Sequence, residues 1–272
     1  NIATAPAPIE GTASLNVNAE LINLVGQFAL SGFGTSNLTS LGDIRLTGVS
    51  NQANKGELLA TGDLNFNARQ IYPTTVSDFS VSMTGAGNTV SFNKLNANDS
   101  YDKVLSAAGK LTVNAETINQ NGILLAPFGT ISLNASDTLN LNAGSVTSVS
   151  ADGSLIPFGL TARAGLDYLY DNGVELQAFK APPERQVKLS APNVNQNSDS
   201  KVDISGGGDL FAYEWIAGLG GSADVLASGA NQNAFGQGTT NTWAIFPANK
   251  NTFASFDPQY WHCLLYTSPS PR

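Results

Sequence analysis

The chain has 272 residues, only 12% of them charged, with 13 basic against 21 acidic side chains and a formal net charge of -8. That balance argues against nucleic acid and anionic lipid as partners, since both are held by clustered Lys and Arg, and a 42% hydrophobic share argues against a disordered chain. No apolar run reaches the roughly eighteen residues of a membrane-spanning helix, and no basic-then-apolar leader opens the chain at Asn1, which reads as the start of an internal piece of a longer protein.

Gly is abundant, with 27 residues, and Asn is about as frequent. A polar surface built from Asn, Ser and Thr suits exposed β-structure and its turns. Along the chain one pattern recurs: two apolar positions in alternation, then Asn or Ser, then Ala, then an apolar position three residues on. It appears at Leu15, Val17, Asn18, Ala19 and Ile22, then at Leu64, Phe66, Asn67, Ala68 and Ile71. It returns at Leu111, Val113, Asn114, Ala115 and Ile118, with one extra residue at Ile131, Leu133, Asn134, Ala135 and Leu139, and more loosely at Val187, Leu189, Ser190, Ala191 and Val194. Partial copies begin at Ile44 and Val90. Gly62, Gly109 and Gly129 each precede a first apolar position by two residues.

Successive starts lie roughly 20 to 26 residues apart, a solenoid spacing, and the alternation within each copy has the period of a strand. A strand this short cannot bury its inner face alone, but stacked on a like strand it gains ladder hydrogen bonds and a continuous apolar column. The predicted fold is therefore all-β: a right-handed parallel β-helix (solenoid) over residues 1–155, with a loop-rich extension. Leu64, Leu111 and Ile131 are expected in one inward stack, and Phe66, Val113 and Leu133 in a second. Ala68, Ala115 and Ala135 are placed at corners, and the Asn before each Ala bonds the turn or ladders with its neighbours. An antiparallel sandwich also has many short strands, but does not require the same side chain at the same place in each copy.

From about Leu155 the repeat breaks. A Gly- and aromatic-rich module is expected over 156–262, continuing the β-helix. It carries Pro182, Pro183 and Arg185, then a block from Ser205 through Asp209, Leu210 and Tyr213 to Trp215, then Asp224 and Asp257. Together with the Asn-Ala copies, this block resembles the large exoproteins of the filamentous haemagglutinin type over nearly all of residues 11–262. The resemblance implies a non-catalytic shaft segment of a large secreted bacterial adhesin at the cell surface, exported by two-partner secretion through an outer-membrane secretion barrel. Surface glycans or receptors of a host or neighbouring cell are the further partners it allows. The shaft of a contact-dependent growth-inhibition exoprotein shares the same features. Residues 263–272, with Cys263, resemble translated sequencing adapter and are set apart as an artefact.

Other β-helix proteins degrade polysaccharides, which requires convergent carboxylates or a carboxylate with a basic partner. Asp203, Asp209, Glu214 and Arg185 are the residues to inspect. Turn chemistry accounts for Asp203 and Asp209, which flank Gly206 to Gly208, so no catalytic, cofactor-binding or metal residue is assigned and no cofactor is expected. His262 is the single His, too few for a metal cluster. The aromatic side chains Tyr168, Tyr170, Phe211, Tyr213, Trp215, Trp243 and Phe246 are expected to pack the extension onto the stack; an exposed platform would instead suit a glycan. Asn37, Asn98 and Asn134 open glycan-acceptor triplets that arise easily in an Asn-rich chain.

Overall fold

A computed structural model describes residues 7–49, 52–96, 100–162, 167–171, 176–179 and 181–213. They form an all-β structure in which most strands run parallel in curled sheets. In chain order the strands are β1 (Ala13–Ala19), β2 (Ile22–Val25), β3 (Gln27–Leu30), β4 (Phe33–Ser40), β5 (Asp43–Thr47), β6 (Lys55–Ala60), β7 (Asp63–Ala68) and β8 (Gln70–Pro73). Then come β9 (Asp78–Met83), β10 (Thr89–Lys94), β11 (Lys110–Asn121), β12 (Ile123–Leu125), β13 (Thr130–Leu141) and β14 (Val146–Ser148). The described part ends with β15 (Leu155–Ala162), β16 (Asp167–Asp171), β17 (Leu176–Phe179), β18 (Gln186–Ser190), β19 (Asn193–Gln196), β20 (Lys201–Asp203) and β21 (Asp209–Tyr213).

Pairing sorts all but β15, β16, β17 and β21 into three recurring positions. In the first, β3, β6, β9, the front halves of β11 and β13, and β18 lie side by side, all parallel. In the second lie β1, β4, β7, β10, the rear halves of β11 and β13, and β19. The third holds β2, β5, β8, β12, β14 and β20. One position follows another along the chain, so strands pair with the strand one circuit away, except that among the described residues no third-position strand lies between β10 and β11 and β12 therefore pairs with β8.

The apolar alternation places every other side chain inward, where partners one circuit apart form columns. Phe28, Leu58, Val81, Val113, Leu133 and Leu189 are one such column. Ile22, Ile44, Ile71 and Leu124 make another. In a third, Phe66 and Phe92 stack with ring centroids 5.2 Å apart and planes 7° from parallel. These residues belong to one continuous buried core, with Phe28 and Leu189 partly buried against its ends.

The predicted columns are corrected in one respect. Leu111 and Ile131 do pair, with Phe79 before and Val187 after them. Leu64 does not join them: it pairs with Val90, which pairs with Ile118 and through it Leu139. Phe66 likewise stands with Leu38 and Phe92, apart from Val113 and Leu133. The copies at Leu15 and Leu64 turn from the second position to the third, whereas those at Leu111, Ile131 and Val187 turn from the first to the second. The repeated phrase encodes a strand and its corner, and the same phrase serves two corners.

Glycines mark where layers approach too closely for a side chain. A Cβ on Gly129 would lie 2.0 Å from the Gly109 carbonyl oxygen, and one on Gly62 would lie 2.4 Å from that of Gly34. The outward face is held by side-chain amides. Asn37 donates to Asn16 at 2.8 Å and Asn65 to Asn37 at 2.9 Å. A parallel row runs from Asn67 through Asn93 and Asn121 to Asn142, each donating to the one before. Asn140 donates to Asn119 and Asn195 to Asn140. The laddering expected for Asn67, Asn114 and Asn134 is present, with Asn134 donating to Asn114 at 3.0 Å.

Two segments leave the circuit. Residues 100–108 cover the outside of the third position, where Val104 packs with Tyr72, Ile123 and Leu125. Asp102 pins this segment, accepting from Arg69 at 2.8 Å and donating its backbone N–H to Gln70 at 2.9 Å. After β14 the chain forms the antiparallel run β15, β16 and β17, and then returns to the parallel stack at β18. The described part of the module thus combines an excursion with a resumption of the earlier pairing.

Candidate functional site

Of the residues inspected for convergent chemistry, Asp203 is committed to a turn. It accepts the Ser205 backbone N–H at 3.0 Å and the Ser205 hydroxyl, and pairs with Lys201 at 2.7 Å. The Lys201 contact, aided by the Ser205 hydroxyl, holds the carboxyl down at about 2. Lys201 is raised in turn, first by its hydrogen bond to Asp203. Glu214 lies outside the described residues, as do Trp215, Trp243, Phe246, His262 and residues 263–272.

Asp209 and Arg185 are brought to one place. Gly207 and Gly208 both have positive φ, at 92° and 78°, the conformation glycine adopts without penalty. They swing the chain from β20 into β21, which pairs in parallel with β15. Arg185, at the entry to β18, reaches back across this bend. Its Nη2 donates to the Gly207 carbonyl at 3.0 Å, and its guanidinium carbon lies 4.0 Å from the centre of the Phe128 ring. Such stacking is a favourable use of the flat, weakly hydrated guanidinium.

Phe128 is presented by a column of tight turns. Ser77 donates to Thr74, Gly129 to Ala126 and Ser154 to Ala151, each bond 2.9 to 3.0 Å. Val76, Ala108 and Phe128 all have φ between 52° and 59°, a region costing non-glycine residues about 1–2 kcal/mol each. Bonds between turns hold them there: Val76 donates to the Ala107 carbonyl and Ala108 to that of Pro127. Their side chains join a second apolar cluster containing Phe158, Tyr170 and Phe179.

Above this cluster opens a cavity of about 460 Å³, lined by Phe158, Phe179, Pro182, Pro183, Leu210 and Phe128, with Arg185 and Asp209 as its charged members. The volume falls in the range of small-molecule sites, which combine apolar walls with a few polar groups. Asp203 does not line it. Among the described residues, therefore, Arg185 shares the cavity lining with one of the candidate carboxylates, Asp209, without an ion pair between them. Sequence reasoning picked out both but missed Phe128 and Phe158, which lie outside the module's aromatic cluster in sequence.

Tyr170 packs as expected, stacked 5.0 Å from Phe158 with Phe179 edge-on. Phe211 is exposed, and the side chains of Tyr168 and Tyr213 are outside the description. Asn37 and Asn134 are engaged in the amide ladders; Asn98 is outside the described residues. Among the described residues no three His, Cys, Asp or Glu side chains are grouped to hold a metal ion, and no helix is long and apolar enough to cross a membrane. Compared with known proteins, the chain is matched by no family model, no curated protein and no solved structure.

Proposed function

We infer that this chain is a stretch of right-handed parallel β-helix serving as a non-catalytic shaft segment of a large secreted bacterial adhesin, which holds adhesive or effector regions away from the cell. The observation that carries the reading is the in-register stacking of like on like: Asn on Asn outside over successive circuits, with apolar on apolar inside, including the Phe66–Phe92 pair. Side-by-side parallel strands joined by a crossover take the right-handed connection almost without exception, which supports the hand. Stacking each layer on its neighbour makes a quasi-one-dimensional body whose length grows with the number of layers, a form suited to projection. Secretion, the outer-membrane barrel and surface glycans or receptors as partners follow from the family resemblance and belong to the same proposal.

The test uses antibodies raised against residues 7–213 and applied to intact bacteria producing the parent protein. Surface labelling that is lost after external protease supports the shaft reading. An epitope reached only after lysis overturns it. Incubation with polygalacturonate and other glycan polymers separates the enzyme alternative, since release of reducing ends would assign the protein to that class.

A further inference from the structure

We propose that the cavity between the turn column and the β15–β17 excursion is a binding site for a small organic carboxylate carried on an apolar body, with Arg185 as its anchor. Three observations converge. The cavity wall is largely apolar, from Phe158, Phe179, Pro182, Pro183 and Leu210. Arg185 is fixed in that wall by the Phe128 ring and the Gly207 carbonyl. Among the described residues no carboxylate forms an ion pair with it, and its Nε is buried without a hydrogen-bond partner.

A half-buried guanidinium held in place with donors to spare, beside a largely apolar wall, favours a planar anion over a neutral ligand. Its ring partner costs it none of those donors. Asp209, the other charged liner, stands at the exposed rim, where solvent screens its repulsion of an anion. The apolar wall sets the body: an aromatic or alkyl group gains by displacing water there, whereas a sugar acid would leave hydroxyls facing Phe and Pro rings. This inference concerns a different part of the molecule from the stack on which the shaft reading rests, and each can fail without the other.

Calorimetric titration of the full chain with 3-phenylpropionate tests it, alongside the uncharged isostere 3-phenylpropionamide. Saturable one-site binding is expected, with the amide weaker by about tenfold to a hundredfold, the range of a charge-assisted bond. Arg185→Gln is expected to reduce affinity for the acid to that for the amide, and Asp209→Asn to tighten it. No saturable binding of the acid, equal affinity for acid and amide, or undiminished binding by a folded Arg185→Gln chain would overturn the site. Tighter binding of galacturonate than of 3-phenylpropionate would overturn the choice of an apolar body. If Arg185→Gln does not fold, the acid–amide comparison on the unaltered chain decides the matter alone.

Discussion

Gly129 and Gly32 are both glycines of the stack, yet they are required for different reasons. A methyl group on Gly129 would collide with the Gly109 backbone, whereas Gly32 has open space around it but a φ of 83°. Gly129→Ala is therefore expected to cost about 2–3 kcal/mol by overpacking against a backbone that cannot yield, and Gly32→Ala about 1 kcal/mol through conformation alone. Urea unfolding of the two variants checks the order. At Asp203 the relevant force is charge. Folding lowers its pKa from the ordinary 3.8 to about 2, so the clamp with Lys201 stabilises the fold above about pH 4 and is lost as the pH falls through about 2. Asp203→Asn should lower the unfolding midpoint at pH 6, and the gap from the unaltered chain should close as the pH approaches 2.

At the scale of the element, a strand here is stable only through its neighbours. Asn93 both donates to Asn67 and accepts from Asn121, so Asn93→Ala removes two ladder bonds and is expected to cost about 1–2 kcal/mol. Asn16→Ala, at the end of its row, removes one and should cost about half as much. Phe92 fills the fully buried column beside Phe66, and Phe92→Ala should cost about 3–5 kcal/mol because adjacent layers cannot close on the space. Thermal or urea unfolding of the three variants ranks inner packing above outer ladder. Gln120 continues the Phe92 column as a buried polar group; its amide donates to the Val146 carbonyl and the Thr147 hydroxyl and accepts from the Gly122 N–H, so the column changes chemistry without leaving a group unpaired.

Across the whole molecule the layers differ in support. Inward residues in the middle, such as Leu64, Phe79, Val90, Leu111 and Ile131, are fully buried. Val17, Leu24 and Phe28 near the first layer, and Val187, Leu189 and Val202 near the last described one, are only partly so. In a stack whose stability is passed between neighbours, hydrogen exchange should be slowest in β7, β10, β11 and β13 and fastest in β1 and β19. Uniform protection along the chain would show a single cooperative block instead of a graded stack.

That the chain is all-β with recurring strands was legible in the residues alone. Alternation such as Leu111–Thr112–Val113 has only one efficient burial, on a strand with one face inward, and Asn before Ala, as at Asn114 and Asn134, places an amide where the next amide can meet it. Gly62, Gly109 and Gly129 were legible as recurring marks, though not as points of backbone contact. Which copy stacks on which depended on long-range pairing: Leu64 and Leu111 carry the same phrase but lie at different positions of the circuit, because the phrase fits two of the three corners. The cavity was equally out of reach. Phe128, Phe158, Phe179 and Arg185 come from separate segments, and the site exists because strained turns and an antiparallel excursion bring them together through long-range pairing, which local pattern does not encode.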